Sequence, residues 1–565
     1  MEKGVIYFDK SIDRLRRLGT ARADNGDYLG ALCFFYQALN SECDLDDTLS
    51  LYMDIAACYS DMETYELSNK FWFKYLDRAP KDKVSIAYEE LGINFFYMNN
   101  LWLSGYYFHK KFEIDGFISP EGLDKEIVDF FSNELDVRDS YRLVYPLDLA
   151  DYSKELTEAK RCIASSDFKG AERLLKKIPQ GCPQYGEALN ELSMLKFVLG
   201  DNEEALEYSR KIIEEQGESL TAYCNLSSIY HYKKDDDKSA YYFSKVMEFP
   251  VEDLTDVYKV ATCSLEQGKH LYATPYLENI LQERPYDYNM RYLYALALIN
   301  LNAYDKAIDQ LSQVLMLSPD DQIVKYYLDL AKTLRNEGDR KNILPLKYIA
   351  DLPDFEVNER KALISDLANM PVTKINSALK NKDTFDKVAW GIKYGDEPLA
   401  KASIVVMASS TLKMATNALI KMLIDNEIAL FVKEMILYCL VMSGCKNTLS
   451  IVKLNCFAKV KPRKLRFELV DEDHIFFVAY AFCFSRLAFT SVTNLDKVAF
   501  AVERIYKKLK GKNILGIEKE EMAAYIAFQC GYKDFKREKD ILRLFGADKN
   551  EYNALKGLVE NLDED

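Results

Sequence analysis

Five small residues spaced 34 apart, Ala171, Ala205, Ser239, Ala273 and Ala307, constrain this chain more than any other feature of its 565 residues. A fixed step of that length requires one supersecondary unit to recur and stack on copies of itself. A second small series, Ala159, Ser193, Ser227, Ala261 and Ala295, leads the first by 12, and a β-branched series, Ile178, Ile212, Val246, Ile280 and Val314, trails it by 7. The pattern predicts units of two antiparallel helices that cross closely at the small residues, where a bulky side chain would wedge them apart. Gly200-Asp201-Asn202, Lys234-Asp235-Asp236 and Gly268-Lys269 read as the intervening turns, with Gly taking the left-handed conformation and Asp capping the next helix. Pro183, Pro285 and Pro319 close their units, because proline has no N–H with which to continue a helix. One such pair cannot bury its own apolar face, so the units must stack into a continuous core.

This pattern resembles the tetratricopeptide repeat. The fold expected is all-α, a superhelical solenoid followed by a mostly helical C-terminal domain that holds a short β-hairpin. Three looser units occupy residues 1–115, marked by Leu18-Gly19 with Ala31, Ala56 with Ser68, and Leu91-Gly92 with Ser104, each pair 12 apart. The gap from Ser104 to Ala171 is close to two units, so a degenerate unit is expected near 119–145. Residues 1–340 then form the array, about nine helix pairs with Gln322 to Asn336 as a capping helix. Residues 341–355, with Pro345 and Pro353, read as a linker, and 356–565 as the C-terminal domain.

In that last region the period is lost. Helical patterning covers Val372 to Tyr394 and Glu397 to Ser409, and two helices at Lys413–Ile424 and Ala429–Ser443 resemble a single HEAT-type unit. Ile451, Val452 and Leu454, then Phe457, Val460 and Pro462, fit a strand pair turning near Asn455-Cys456. Lys539 to Ala547 followed by Asp548 to Val559 resembles a helix-turn-helix, and also the tail of some bacterial repeat proteins. Its second helix opens on Asp548 and Glu551 and the sequence ends Asp563-Glu564-Asp565, which repels phosphate.

Chemistry has little room. The formal net charge of −15 argues against nucleic acid or an anionic membrane as main partner of the whole molecule. Twelve scattered cysteines without a C-x-x-C pair suit a reducing compartment. No P-loop, dinucleotide-binding, nucleophile-elbow or zincin motif is present, and there are four histidines. Asp471-Glu472-Asp473-His474 is the one ligand-like cluster, and helix N-terminal capping explains its acids. MEKGVIYFDK lacks a signal-peptide pattern, and apolar runs such as Ile475 to Phe484 fall short of the roughly 20 residues a bilayer helix needs. A cytoplasmic protein without metal, cofactor or catalytic residues is expected. Two basic runs, Lys459, Lys461, Arg463, Lys464 and Arg466, then Lys507, Lys508, Lys510 and Lys512, read first as solvated faces.

The resemblance implies instead a groove lined by first helices, here Asn190, Phe197, His231, Tyr232, Tyr258, Leu265, Tyr292 and Asn300. Aromatic faces and amides there suit a protein or peptide segment. The function expected is therefore a non-enzymatic interaction scaffold of bacterial type. The alternative is a regulator whose array senses a peptide while the helix-turn-helix-like end contacts nucleic acid. Specific nucleic-acid binding and membrane association are not expected.

Overall fold

A computed structural model describes residues 11–115, 152–164, 167–182, 184–339, 342–348, 351–466, 474–489, 495–510, 517–530 and 538–560. These hold 28 helices and one two-stranded antiparallel sheet, so the chain is all-α apart from a hairpin. The degenerate unit near 119–145, Pro183, Asp471 to Asp473, Lys512 and the acidic end Asp563 to Asp565 lie outside the described residues. Packing divides the chain into two compact units, one of residues 1–116 with 351–565, the other of residues 117–350. A division at residue 340 follows the repeat chemistry; packing places the first three helix pairs with the C-terminal region.

The first unit opens with three helix pairs, α1 (Ile12–Ala23) with α2 (Tyr28–Leu39), α3 (Leu45–Asp61) with α4 (Tyr65–Arg78), and α5 (Ser85–Tyr97) with α6 (Leu101–Asp115). Their crossings are as tight as the spacing predicts. A Cβ on Gly92 would meet the Phe108 ring at 2.8 Å, and Gly19 meets Phe35 more closely still. At the middle crossing Ala56 and Ser68 are fully buried.

The second unit repeats this plan in α7 (Ser153–Ala164) with α8 (Phe168–Leu175), α9 (Tyr185–Val198) with α10 (Asn202–Gln216), α11 (Leu220–Tyr232) with α12 (Asp236–Glu248), α13 (Leu254–Glu266) with α14 (His270–Glu283), and α15 (Tyr288–Asn300) with α16 (Tyr304–Leu317), closed by α17 (Gln322–Glu337). Every member of the two small series and the β-branched series is buried. Serine replaces alanine at the crossings because a carbonyl of the facing helix takes its hydroxyl. Ser193 donates to the Ala205 carbonyl at 2.9 Å, and Ser227 to that of Ser239 at 2.9 Å, so no buried hydroxyl is left unpaired there. One residue per turn is left-handed at the same 34-residue step, Gly200, Lys234, Gly268 and Asn302 with φ of 84°, 59°, 66° and 59°. At the third of these turns the cap is Lys269, which makes no side-chain capping bond, whereas Asp235 accepts from the Lys238 N–H.

In the C-terminal part of the first unit, α18 (Asp354–Ala368) precedes α19 (Val372–Leu379), α20 (Lys382–Tyr394), α21 (Glu397–Ser409), α22 (Lys413–Met422) and α23 (Leu430–Met442). The stretch Val372 to Tyr394 is two helices, because Asn381 caps the second by accepting from the Thr384 N–H at 3.1 Å. The hairpin pairs β1 (Leu449–Lys453) with β2 (Cys456–Val460). Its two turn residues are Leu454 and Asn455, with φ of 46° and 62°, the positive pair that a two-residue hairpin demands. The turn therefore falls one residue earlier than the alternation suggests. Then come α24 (His474–Ala488), α25 (Asp496–Leu509), α26 (Lys519–Gln529), α27 (Glu538–Phe545) and α28 (Lys549–Glu560).

The third repeat and the hairpin meet inside this unit. Tyr107 of α6 is fully buried, donates its hydroxyl to the Asn455 carbonyl and accepts from the Phe457 N–H at 3.1 Å. Lys70 of α4 pairs with Glu427, which also holds Lys393 at 2.6 Å. Burial would raise the Glu427 carboxyl, but the two lysines outweigh it and hold the group down at about 2.

Candidate peptide-binding face

The last residue of the first helix in four successive pairs is Val198, Tyr232, Glu266 and Asn300, again 34 apart. They form one row, since equivalent positions of stacked units lie side by side. Val198 and Tyr232 are each 67% exposed, and Met194 and Leu199 beside Val198 are exposed too. Phe197 sets its ring edge-on to Tyr232, 5.5 Å between centroids. An apolar strip therefore faces solvent at this end of the row, where an ordinary surface would be polar.

At the other end the row is occupied. Past a bend at Pro345, residues 346–348 cross it. The Asn300 carboxamide accepts from the Leu346 N–H at 2.6 Å and donates to the Leu346 carbonyl at 3.0 Å. Leu346 is buried and Lys347 exposed, the alternation of an extended strand. The Tyr348 hydroxyl then bridges the end of a first helix and the start of a second, accepting from Asn300 Nδ2 at 3.2 Å and bonding to Nδ1 of His270. The amide nitrogen can only donate, which leaves the phenolic proton available for His270 Nδ1. Burial pushes the His270 imidazole down and the Tyr348 phenol up to about 12. Asp339 anchors the start of the strap by accepting from the N–H groups of Ile343 and Leu344 at 2.9 and 3.1 Å.

The eight residues expected in a groove fall into three settings. Tyr232 and Asn300 belong to the row just described, with Phe197 packed against Tyr232 and His231 exposed beside it. Leu265 and Tyr292 are buried, the latter packed edge-on against Tyr327. Asn190 accepts from Asn225 at 2.8 Å, and Tyr258 donates to the Asp287 carboxylate; both are half-buried. Burial and that carboxylate push the Tyr258 phenol well above its ordinary range. Val198 and Glu266 follow from Tyr232 and Asn300 by the repeat step, a signal present in the sequence. His270 and the strap carry none, because Pro345 and Pro353 make 341–355 read as a linker.

Elsewhere, most residues of the two basic runs are exposed, among them Lys461, Lys464, Arg466, Lys507 and Lys510, and a few touch neighbouring elements. Lys459 donates to the Asp77 carbonyl at 3.4 Å, the Arg463 guanidinium lies 4.0 Å from the Phe500 ring centre, and the Arg466 N–H donates to Glu503 at 3.0 Å. In the helix-turn-helix-like end, Tyr552, Leu555 and Val559 of α28 are buried, and Tyr552 donates to Glu538 at 2.9 Å. Among the described residues no group of acids, histidines and cysteines is placed to hold a metal, and no helix is long and apolar enough to cross a membrane.

The family model for the tetratricopeptide repeat matches residues 264–328, from the end of α13 through α14, α15 and α16 into α17, Asn300 included. This part of the chain carries tetratricopeptide repeats, and a helical C-terminal region follows. Among solved structures it is similar to yeast Tom70, at 12% identity over 88% of this chain and 97% of that one, TM-score 0.29. It is similar also to a tetratricopeptide repeat protein from Parabacteroides merdae, at 13% identity over 57% of this chain and 99% of that one, TM-score 0.27. No curated protein matches. The assignment rests on the matched repeats and the buried 34-residue series, not on these superpositions.

Proposed function

We infer that this protein is a non-enzymatic scaffold that holds a protein segment along the first-helix row of its second unit, and that it works in the cytoplasm. The observation that carries this reading is the row itself, apolar and open at Val198 and Tyr232 yet equipped at Asn300 with a carboxamide that grips extended backbone. Large exposed aromatics flanked by backbone-reading amides are what peptide-binding surfaces use. The acidic start of α28, at Asp548 and Glu551, and its buried face favour this reading over sequence-specific nucleic-acid contact.

A photo-crosslinking residue at Tyr232, with a control at Tyr241 on the second-helix side, tests it. Tyr241 is 58% exposed, so access is similar at both sites. The expected outcome in native lysate is a defined protein segment captured from position 232 and not from 241. Equal capture at both positions would overturn the reading.

A further inference from the structure

The strap is not bound as a random crossing loop would be. One carboxamide satisfies both backbone polar atoms of Leu346, a contact that recognises extended chain whatever the side chain. Side-chain selection comes from the flanks: Leu346 is buried, and the Tyr348 hydroxyl completes a chain of hydrogen bonds from Asn300 to His270. A site that bonds a hydroxyl discriminates against a ligand without one, because its polar groups are then left unpaired. The strap has no helix or sheet ladder of its own, so it leaves without unfolding anything regular. Beyond Tyr348 the row continues through Glu266 to the exposed Tyr232 and Val198, surface that a longer ligand can cover and that residues 343–348 do not.

We propose that Leu346-Lys347-Tyr348 is an internal stand-in for the partner. The Asn300 and His270 site takes an extended protein segment with an aliphatic residue and, two positions on, a tyrosine, and the chain's own copy holds the site closed until a segment that also reaches Tyr232 displaces it. This rests on the scaffold reading and adds the chemistry of the occupant and its control. A tethered strap competes at an effective concentration on the order of millimolar, so a short free peptide binds the intact protein poorly. Opening the strap removes that competition, and apparent affinity rises in proportion to the open fraction.

The experiment uses the full chain and a fluorescein-labelled peptide, Asn-Ile-Leu-Pro-Leu-Lys-Tyr, followed by anisotropy. Tyr348→Ala should bind the peptide about tenfold tighter or more than the unmodified protein. Tyr348→Phe, which keeps the ring and removes only the hydroxyl, should show a smaller gain in the same direction. Adding Asn300→Ala to either should abolish binding, and a peptide ending in phenylalanine should bind more weakly than one ending in tyrosine. Folding of each variant is checked by its circular dichroism melt. A folded Tyr348→Phe chain with no gain in affinity, or binding indifferent to Asn300→Ala, would overturn the proposal. Persistence of segment capture at Tyr232 in that case would leave the scaffold reading standing, so the two fail separately.

Discussion

The phenol of Tyr107 accepts a hydrogen bond from the Phe457 N–H at 3.1 Å, across 350 residues of sequence. It also donates to the Asn455 carbonyl, so one hydroxyl serves both a donor and an acceptor of the hairpin. Tyr107→Phe removes this and leaves a buried N–H without a partner, at a cost of about 1–3 kcal/mol. Scanning calorimetry should show a lower transition for the unit containing the hairpin. An unchanged thermogram would mean that the hairpin does not depend on this contact.

Overpacking tests the repeat register. Ala273→Leu places a large side chain at a crossing where alanine is fully buried, which typically costs about 1–3 kcal/mol. The same change at the exposed Ala240, on α12, is the control. Melting should fall for the first variant alone.

Two tyrosines of the repeats should separate binding from stability. Tyr232→Ala removes a ring that is 67% exposed, so segment capture should weaken by about tenfold while the melt stays in place. Tyr292→Ala removes a buried ring packed on Tyr327, and should destabilise by about 3–5 kcal/mol. Capture assays and melts on the two variants check the split, and the reverse pattern would place the face elsewhere.

Lys433 supplies a pH signature. It is buried, donates to the Val452 carbonyl at 2.7 Å, and burial pushes its ammonium down to about 8, against a smaller opposing pull from Asp425. Below about pH 8 the folded and unfolded chains both hold the proton, and this group adds no slope. Between there and the ordinary lysine value of ~10.4 the unfolded chain binds more protons, so stability from this group rises with pH. Denaturation of the parent and Lys433→Met should therefore differ by a constant below pH 8, with the parent gaining on the variant above it. A difference that stays flat to pH 10 would refute the depressed value.

Much of the second unit was legible because its signal is periodic. Ala205, Ser239 and Ala273 announce the crossings, and Lys234 and Asn302 take the left-handed turn because their position in the step demands it, although neither is glycine. What could not be read depends on contacts that leave no mark on side-chain chemistry. Asn300 grips the backbone of Leu346, and any residue has a backbone. Tyr107 reads as one more aromatic on α6, and nothing at its own position names Phe457 as the partner. Tyr292 looks like Tyr258 by position, yet the facing Tyr327 of α17 covers it, a consequence of closing the array with a terminal helix.

The contact between Tyr107 and the hairpin also sets a clock on synthesis. Phe457 leaves the ribosome 350 residues after Tyr107, a delay of roughly 20 to 70 s at about 5–20 residues per second. In that interval α7 to α17 are made entire, and their neighbour-to-neighbour packing lets them fold as they emerge. The first three helix pairs, made earlier, must wait for the hairpin with the Tyr107 surface uncovered. Helices made before the second unit thus complete their folding after it, and a nascent chain stalled before the hairpin would display that surface to chaperones.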